Sequence, residues 1–184
     1  TTNKKISECV LKGLKIKSKG EYKVGDFNSK SANPLSNFYE TPVTYKIKNK
    51  SYTFPSSEHA YQFERHVLPK EGVKNIKNWV VGGKYSKYEY IKELYKGKAG
   101  EKHYATKKKK CMIGLIPKKL ANDIIKSPEG GTARGTKDEE YEKYWEKILT
   151  AKYKAPEMRE YLEKTGDTIL IEADARKKYK RDEW

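Results

Sequence analysis

The chain has 184 residues, which is enough for one domain with a buried core. Hydrophobic residues make up 35% and charged residues 36%, but 15 Tyr, 4 Phe and 3 Trp supply enough aromatic area to argue against a disordered chain. The formal net charge of +16 is compatible with a phosphate-bearing partner, yet it consists mostly of lysine, so we favour a solvated surface over dedicated nucleic-acid binding.

The first element with a clear period is a β-hairpin over residues 43–54, in which apolar residues alternate on both sides of a polar turn. Ser56 or Ser57 can then cap a helix, which we expect to end where Leu68-Pro69 interrupts it. Glu58 therefore falls in the first turn of this helix.

A second helix is predicted from Ser86 to Gly97, because Ser86 and Glu89 have the spacing of a capping box. Further helices are expected over about residues 117–126 and 138–154 and from Pro156 onward, followed by a strand over residues 168–172. The chain has no internal repeat and no regular alternation of strands and helices, which argues against a doubly wound sheet. The prediction is a helix-rich α+β single domain with a small antiparallel β element.

The remaining composition limits the compartment and the chemistry. The two cysteines, Cys9 and Cys111, are isolated, so neither a disulfide framework nor a CxxC site is expected and a reducing compartment fits. No apolar run approaches the ~20 residues of a membrane span, and the first residues do not have the pattern of a signal peptide, so we expect a cytoplasmic protein with no membrane partner. The three histidines lack companions at ligand spacing, and no metal or other cofactor is predicted.

Candidate functional residues concentrate around Glu58, in the segment Pro-Ser-Ser-Glu-His-Ala-Tyr-Gln at residues 55–62. An acid in the first turn of a helix is favoured by the helix dipole alone, so a structural interpretation stands beside a catalytic one. Upstream, the Leu-Ser-Asn-Phe-Tyr loop at residues 35–39 has no helical or strand period. Trp145 lies on the apolar side of a predicted helix, where it is either a core residue or a stacking face beside a cleft.

Six short blocks of the sequence together share the pattern of a known family, and they are residues 33–39, 55–62, 149–153, 156–159, 165–167 and 170–173. In sequence and in order they resemble the NADAR family, also called YbiA-like. The resemblance implies an N-terminal segment at residues 1–25 and a NADAR-like catalytic domain over 26–184, with a poorly matched insertion at about 69–137. It also implies a helix-rich α+β fold of the YbiA type.

The resemblance implies an N-glycosidase that cleaves the bond between a ribose phosphate and a heterocyclic base or amine. Carried over from the family, Glu58 and Asp182 are the catalytic residues and Trp184 binds the base. Asp182 stands one residue later than the aspartate of the family, and Trp145 substitutes for the family's earlier tryptophan. Arg65 occupies a position where many members have a lysine, for which a Schiff base has been proposed.

For this reaction, a carboxylate at position 58 would stabilise the positive charge that develops on the sugar as the C–N bond breaks. The predicted substrate-binding residues are Trp184, Trp145, Asn37, Phe38, His59, Arg65 and Lys152. In this scheme Phe38 and the tryptophans stack on the heterocycle, Asn37 binds a sugar or base edge, and His59 is a candidate proton donor. Arg65 and Lys152 neutralise a phosphate.

Three functions remain open from the sequence. The favoured function is hydrolysis of the ribosylamino-pyrimidine phosphates of riboflavin synthesis. The alternative within the same family is removal of ADP-ribose from guanine in nucleic acid, for which Lys152 could supply an amine. The alternative from another class is a non-catalytic module that binds a nucleotide or nucleic acid.

Overall fold

A computed structural model describes residues 24–27, 33–97, 113–126, 138–167 and 169–172 of the chain. Within these ranges the protein has an α+β fold, in which a two-stranded antiparallel sheet packs against helices. The predicted fold class is therefore confirmed at this level.

The hairpin consists of β2 (Val43–Ile47) and β3 (Lys50–Phe54), which pair in antiparallel register with Val43 opposite Phe54. Its turn needs only two residues, and Lys48 adopts a φ of 53° there. Residues of β2 alternate between buried and exposed, so one face of the hairpin enters the core and the other faces solvent. The predicted hairpin is confirmed.

The helix that carries Glu58, α1 (Ser57–Gln62), continues into a π-helical turn over Phe63–Val67 and then into α2 (Leu68–Glu71). The predicted end at Leu68-Pro69 is wrong. Pro69 lies in the first turn of α2, where a missing backbone N–H costs little, so the proline does not interrupt the helical path.

The next part of the chain contains α3 (Ile76–Trp79), a 3₁₀ turn over Lys84–Ser86 and α4 (Glu89–Tyr95). The predicted capping box does not form. Ser86 ends the 3₁₀ turn and its hydroxyl donates a hydrogen bond to the carbonyl of Gly83 (2.8 Å), so α4 begins three residues later than predicted. The predicted end is correct, since Gly97 follows α4 with a φ of 70°.

Three longer helices follow: α5 (Leu115–Lys126), α6 (Asp138–Lys152) and α7 (Pro156–Glu163). The predicted helix positions are confirmed, although α6 ends two residues earlier than expected. Just before α5, a Cβ on Gly114 would lie 2.7 Å from the Cα of Phe38. Glycine at this position therefore allows the loop that contains Phe38 to approach α5 closely.

The structure contains a second pair of strands, and their pairing was not predicted from the sequence. β1 (Val24–Phe27) and β4 (Ile169–Glu172) are parallel, with Val24 opposite Ile169. The strand near residues 168–172 was expected from the sequence, but its partner near the other end of the chain was not. β1 also crosses the predicted boundary between residues 25 and 26.

Two apolar clusters form the core. The larger one joins the buried face of the hairpin to α1, the π-helical turn, α3 and α6, and it includes Phe54, Phe63 and Trp79. The smaller one contains Phe38 together with residues of α4 and α5, such as Ile91 and Ile116. Helix α1 contacts β3, α5 and α6, so Glu58 is carried by a helix at the centre of the fold.

Candidate functional site

Glu58 occupies the first turn of α1 and is 6% exposed. Ser56 caps the helix, because its side chain accepts a hydrogen bond from the backbone N–H of His59 at 3.2 Å. The Glu58 carboxylate accepts a hydrogen bond from Nε2 of Gln62 at 2.8 Å, one turn further along. The predicted position of Glu58 in the first turn of a helix is thus confirmed, and the structure shows in addition that its carboxylate is buried.

The loop at residues 33–39 is held against this helix turn. The backbone N–H of Glu58 donates to the carbonyl of Asn37 at 2.9 Å. Within the loop, Asn33 Oδ1 accepts from the backbone N–H of Leu35 at 2.8 Å, and the Ser36 hydroxyl accepts from that of Phe38 at 3.2 Å. These local bonds fix a compact turn, as short polar side chains commonly do.

Lys152, the last residue of α6, reaches the same loop from the other side. Its side chain is fully buried, and Nζ donates to the carbonyl of Ser36 at 3.0 Å. Burial disfavours the charged amine and lowers the pKa of Lys152 from 10.5 to about 8. The Nζ atom also lies 5.3 Å from the ring centroid of Tyr153.

We refer to Ser36, Asn37, Glu58 and Lys152 as the junction. Its hydrogen bonds connect three segments that are far apart in the sequence: the loop at 33–39, the start of α1 and the end of α6. Each of the three segments belongs to one of the blocks that carry the family resemblance. The described structure therefore brings three of the six blocks together at the start of the helix that carries Glu58.

His59 is fully buried and both of its ring nitrogens are engaged. Nε2 lies 2.9 Å from the carbonyl of Tyr85, which can only accept, so Nε2 carries the proton. Nδ1 then accepts from the Ser56 hydroxyl at 2.8 Å. Burial lowers the pKa of His59 to about 4, so the ring is neutral near pH 7. This geometry gives His59 a positioning role at the start of α1 in place of the predicted contact with substrate.

Trp145 and Arg65 both contact Tyr61 of α1. The rings of Tyr61 and Trp145 are stacked, with centroids 4.4 Å apart and planes 13° from parallel. The guanidinium carbon of Arg65 lies 5.5 Å from the Tyr61 ring centroid, and Arg65 Nη1 donates to the Tyr61 hydroxyl. One face of the Trp145 indole is thus covered by protein, and Trp145 packs against the larger core cluster.

The other predicted site residues differ in burial and in location. Phe38 is 4% exposed within the smaller core cluster, so its ring packs in the interior instead of offering a stacking face. Asn37 is half-buried and lies beside Glu58 through its backbone. Lys152 is too deeply buried to neutralise a phosphate in this conformation. Asp182 and Trp184 lie outside the described residues.

A second buried carboxylate was missed in the sequence. Glu64 lies in the π-helical turn, with Oε1 2.7 Å from Nζ of Lys147 and Oε2 buried without a hydrogen-bond partner among the described residues. The neighbouring Tyr45 is buried, and burial together with the Glu64 charge raises the pKa of its hydroxyl. The only sequence signal was an acid within an otherwise apolar helical period.

One further polar group lies next to Glu58. The Ser57 side chain is fully buried, and its Oγ makes no hydrogen bond with any described residue. Buried hydroxyls usually have partners, so the unpaired Ser57 hydroxyl is an exception beside Glu58.

Neither a metal site nor a membrane span was found in the part of the chain that the structure describes. There, no three His, Cys, Asp or Glu side chains are grouped so that they could hold a metal ion. None of the helices has the length and apolar character required to cross a bilayer. Comparison with protein families, curated proteins and solved structures found no match for this chain.

Proposed function

We propose that the protein is an N-glycosidase that uses Glu58 to cleave the bond between a ribose phosphate and a heterocyclic base or amine. The observation that carries the proposal is the junction. The buried carboxylate of Glu58 accepts a hydrogen bond from Gln62, and the Glu58 backbone N–H donates to the carbonyl of Asn37. Lys152 donates to the carbonyl of Ser36 in the same loop as Asn37. The three segments that meet there are those whose sequences resemble the NADAR family.

The proposed reaction needs only water as second reactant. Water oxygen forms a bond to the anomeric carbon while the C–N bond breaks, and the electron pair of that bond leaves with the nitrogen. The sugar becomes positively charged in the transition state, so a nearby carboxylate stabilises it and can accept the proton of the attacking water. Glu58 would perform both tasks, because it is already desolvated and fixed on α1.

The leaving nitrogen must gain a proton from another source. His59 is poorly suited to supply it, because the ring is neutral near pH 7 and its only N–H is bound to the carbonyl of Tyr85. We therefore propose that water protonates the leaving group. A ribosylamino-pyrimidine phosphate fits such a site, because its exocyclic nitrogen is released as an amine that water can protonate.

The remaining contacts to substrate are also part of the proposal. Ser57 precedes Glu58 in the chain and Asn37 accepts a hydrogen bond from the Glu58 backbone, and we propose that the Ser57 hydroxyl and the Asn37 side-chain amide bind ribose hydroxyls. Asp182 and Trp184 are proposed from the family pattern as a second carboxylate and a stacking residue. We place the reaction in the cytoplasm, because both cysteines of the sequence are isolated.

The test is a comparison of Glu58→Gln with Glu89→Gln. Glutamine keeps the size of Glu58 and can still accept the hydrogen bond from Gln62, but it has no charge. Incubation with ribosylamino-pyrimidine phosphate, followed by mass spectrometry of the released base, should show a loss of about 10²–10⁴-fold for Glu58→Gln. Glu89 is an exposed acid in the first turn of α4, so Glu89→Gln should release base at the rate of the original protein.

Equal turnover by the two variants would disprove the role of Glu58. Base release from ADP-ribosyl guanine alone would instead favour the alternative hydrolase. Treatment with borohydride tests whether that route uses an imine, and we expect no adduct at Lys152, because its amine is fully buried against Ser36. If both substrates bind and neither releases base, the protein is a non-catalytic binder.

A further inference from the structure

A groove with a volume of about 640 Å³ runs between the hairpin and the solvent-facing side of α6. Glu58 is not among its lining residues. Four of the lining side chains are lysines and one is a glutamate, and these are Lys46, Lys143, Lys147, Lys154 and Glu146. The groove therefore has a net positive charge even after its own carboxylate is counted.

Three of these lysines differ from the fourth in that they form no ion pair with a described residue. No ion pair joins Lys46, Lys143 or Lys154 to any residue in the described part of the chain, and all three are exposed. Lys147 differs, because Nζ is 2.7 Å from Glu64 and 4.6 Å from the ring centroid of Tyr45. Lys147 is held by these two contacts, and the other three lysines remain available to an anionic ligand.

The lysines are arranged along a line. Lys143 and Lys147 are one turn apart on α6, and Lys154 lies two residues beyond the end of the helix, so the helical stretch from Lys143 to Lys152 spans ~14 Å at the helical rise per residue. Lys46 projects from the exposed face of β2 on the opposite wall, where Ser51 adds a hydroxyl. A linear ligand with several regularly spaced negative charges matches this arrangement.

We propose that this groove binds the sugar–phosphate backbone of a single-stranded nucleic acid. Lysines bind phosphates as point charges and do not read bases bidentately, so we expect binding that is independent of sequence. A membrane surface fits less well, because it is flat and the exposed large apolar residues, Val81 and Tyr161, do not line the groove. The site extends the molecule's function beyond the proposed hydrolysis and does not depend on Glu58.

The test compares two triple variants that remove the same charge. The groove variant carries Lys46→Gln, Lys143→Gln and Lys154→Gln, and the control carries Lys77→Gln, Lys87→Gln and Lys92→Gln, which are exposed lysines elsewhere. Binding of the full chain to a fluorescein-labelled oligo(dT) 12-mer is measured by anisotropy between 50 and 200 mM NaCl. Circular dichroism checks that both variants are folded.

For the groove variant we expect an affinity loss of at least ~10-fold and a salt slope smaller by about 2, since each phosphate contact on a single strand contributes about 0.7. The control should change affinity by less than ~3-fold. If the triple groove variant does not fold, Lys143→Gln and Lys154→Gln are measured singly, and each should lower the slope by about 0.7.

Three results would overturn the proposal. The first is equal weakening by the groove and control variants, which would mean that only total charge matters. The second is unchanged binding by the groove variant. The third is stronger competition by a 12-base-pair duplex or by phosphatidylserine vesicles than by unlabelled oligo(dT), which would assign the groove to a different partner.

Discussion

Helix α6 presents lysines to two opposite environments. On its inner side Lys152 is fully buried and donates to the carbonyl of Ser36, and no carboxylate of the described residues pairs with its ammonium group. On its outer side Lys143 and Lys147 line an open groove, and Lys147 is paired with Glu64. The same residue type therefore serves as an internal anchor on one side and as surface charge on the other.

The difference shows that desolvation, more than charge, determines what each lysine contributes. Removing an ammonium group from water is costly, and one carbonyl dipole offsets only part of that cost. The burial of Lys152 lowers its pKa to about 8, whereas the groove lysines remain in contact with solvent. We therefore expect the free energy of unfolding to depend on pH because of Lys152 on the inner side of α6. Ligand binding should depend on salt concentration because of the groove lysines on its outer side.

The largest expected stability effect comes from Lys152. Its pKa in the folded protein, about 8, is below the ordinary value of 10.5 that applies to the unfolded chain. Between these values the unfolded state binds more protons, so stability rises with pH. We expect the free energy of unfolding in urea to increase by about 3 kcal/mol from pH 7 to pH 10.5 through this group.

A pair of variants isolates that contribution. Lys152→Met keeps a long flexible side chain without the charge and should lose the increase, while Lys154→Met, which removes an exposed lysine two residues away, should keep it. If the Lys152→Met protein gains as much stability between these pH values as the original protein does, Lys152 is not buried in the folded state.

A smaller effect is expected from His59, the other buried base near the junction. Its folded pKa, about 4, is below the ordinary 6.5, so the unfolded state binds more protons between these values. Stability is retained above pH 6.5 and is lost as the pH falls. We expect a loss of about 2 kcal/mol between pH 7 and pH 5 through His59.

NMR titration of the imidazole signals measures this directly, with the His59→Gln variant used to assign the resonance. The His59 ring should stay neutral at pH 5 while the protein is folded. An imidazole signal of His59 that titrates near pH 6.5 would mean that the ring is open to solvent and that its bonds to Ser56 and Tyr85 are not formed.

The elements that depend on a local pattern of residues could be predicted from the sequence. The hairpin follows from alternating apolar residues between Val43 and Phe54, and α1 follows from a serine cap before an apolar helical period. Glu58 could be placed in a first turn for the same reason. Two predictions from local signals were wrong. Pro69 lies in the first turn of α2 and does not end the helical path, and Ser86 donates a hydrogen bond to the carbonyl of Gly83 instead of capping α4.

The remainder depends on contacts between distant residues. The parallel pairing of β1 with β4 joins positions near residues 24 and 169, and no local pattern specifies it. The helical period places Lys152 on the same side of α6 as Trp145 and Ile148, but lysines are usually exposed and no local pattern indicates Ser36 as its partner. Asn37 was chosen for its side chain, but the contact that the structure describes is made by its backbone carbonyl.

The central claim is that hydrolysis takes place at Glu58, on the inner side of α6, and not in the lysine groove on its outer side. A crystal structure of the Glu58→Gln variant with bound ribosylamino-pyrimidine phosphate tests this most directly. We predict that the anomeric carbon lies within ~3.5 Å of the side chain at position 58, as a reacting group requires. Substrate bound only between Lys46 and Lys143, with none beside position 58, would contradict the claim.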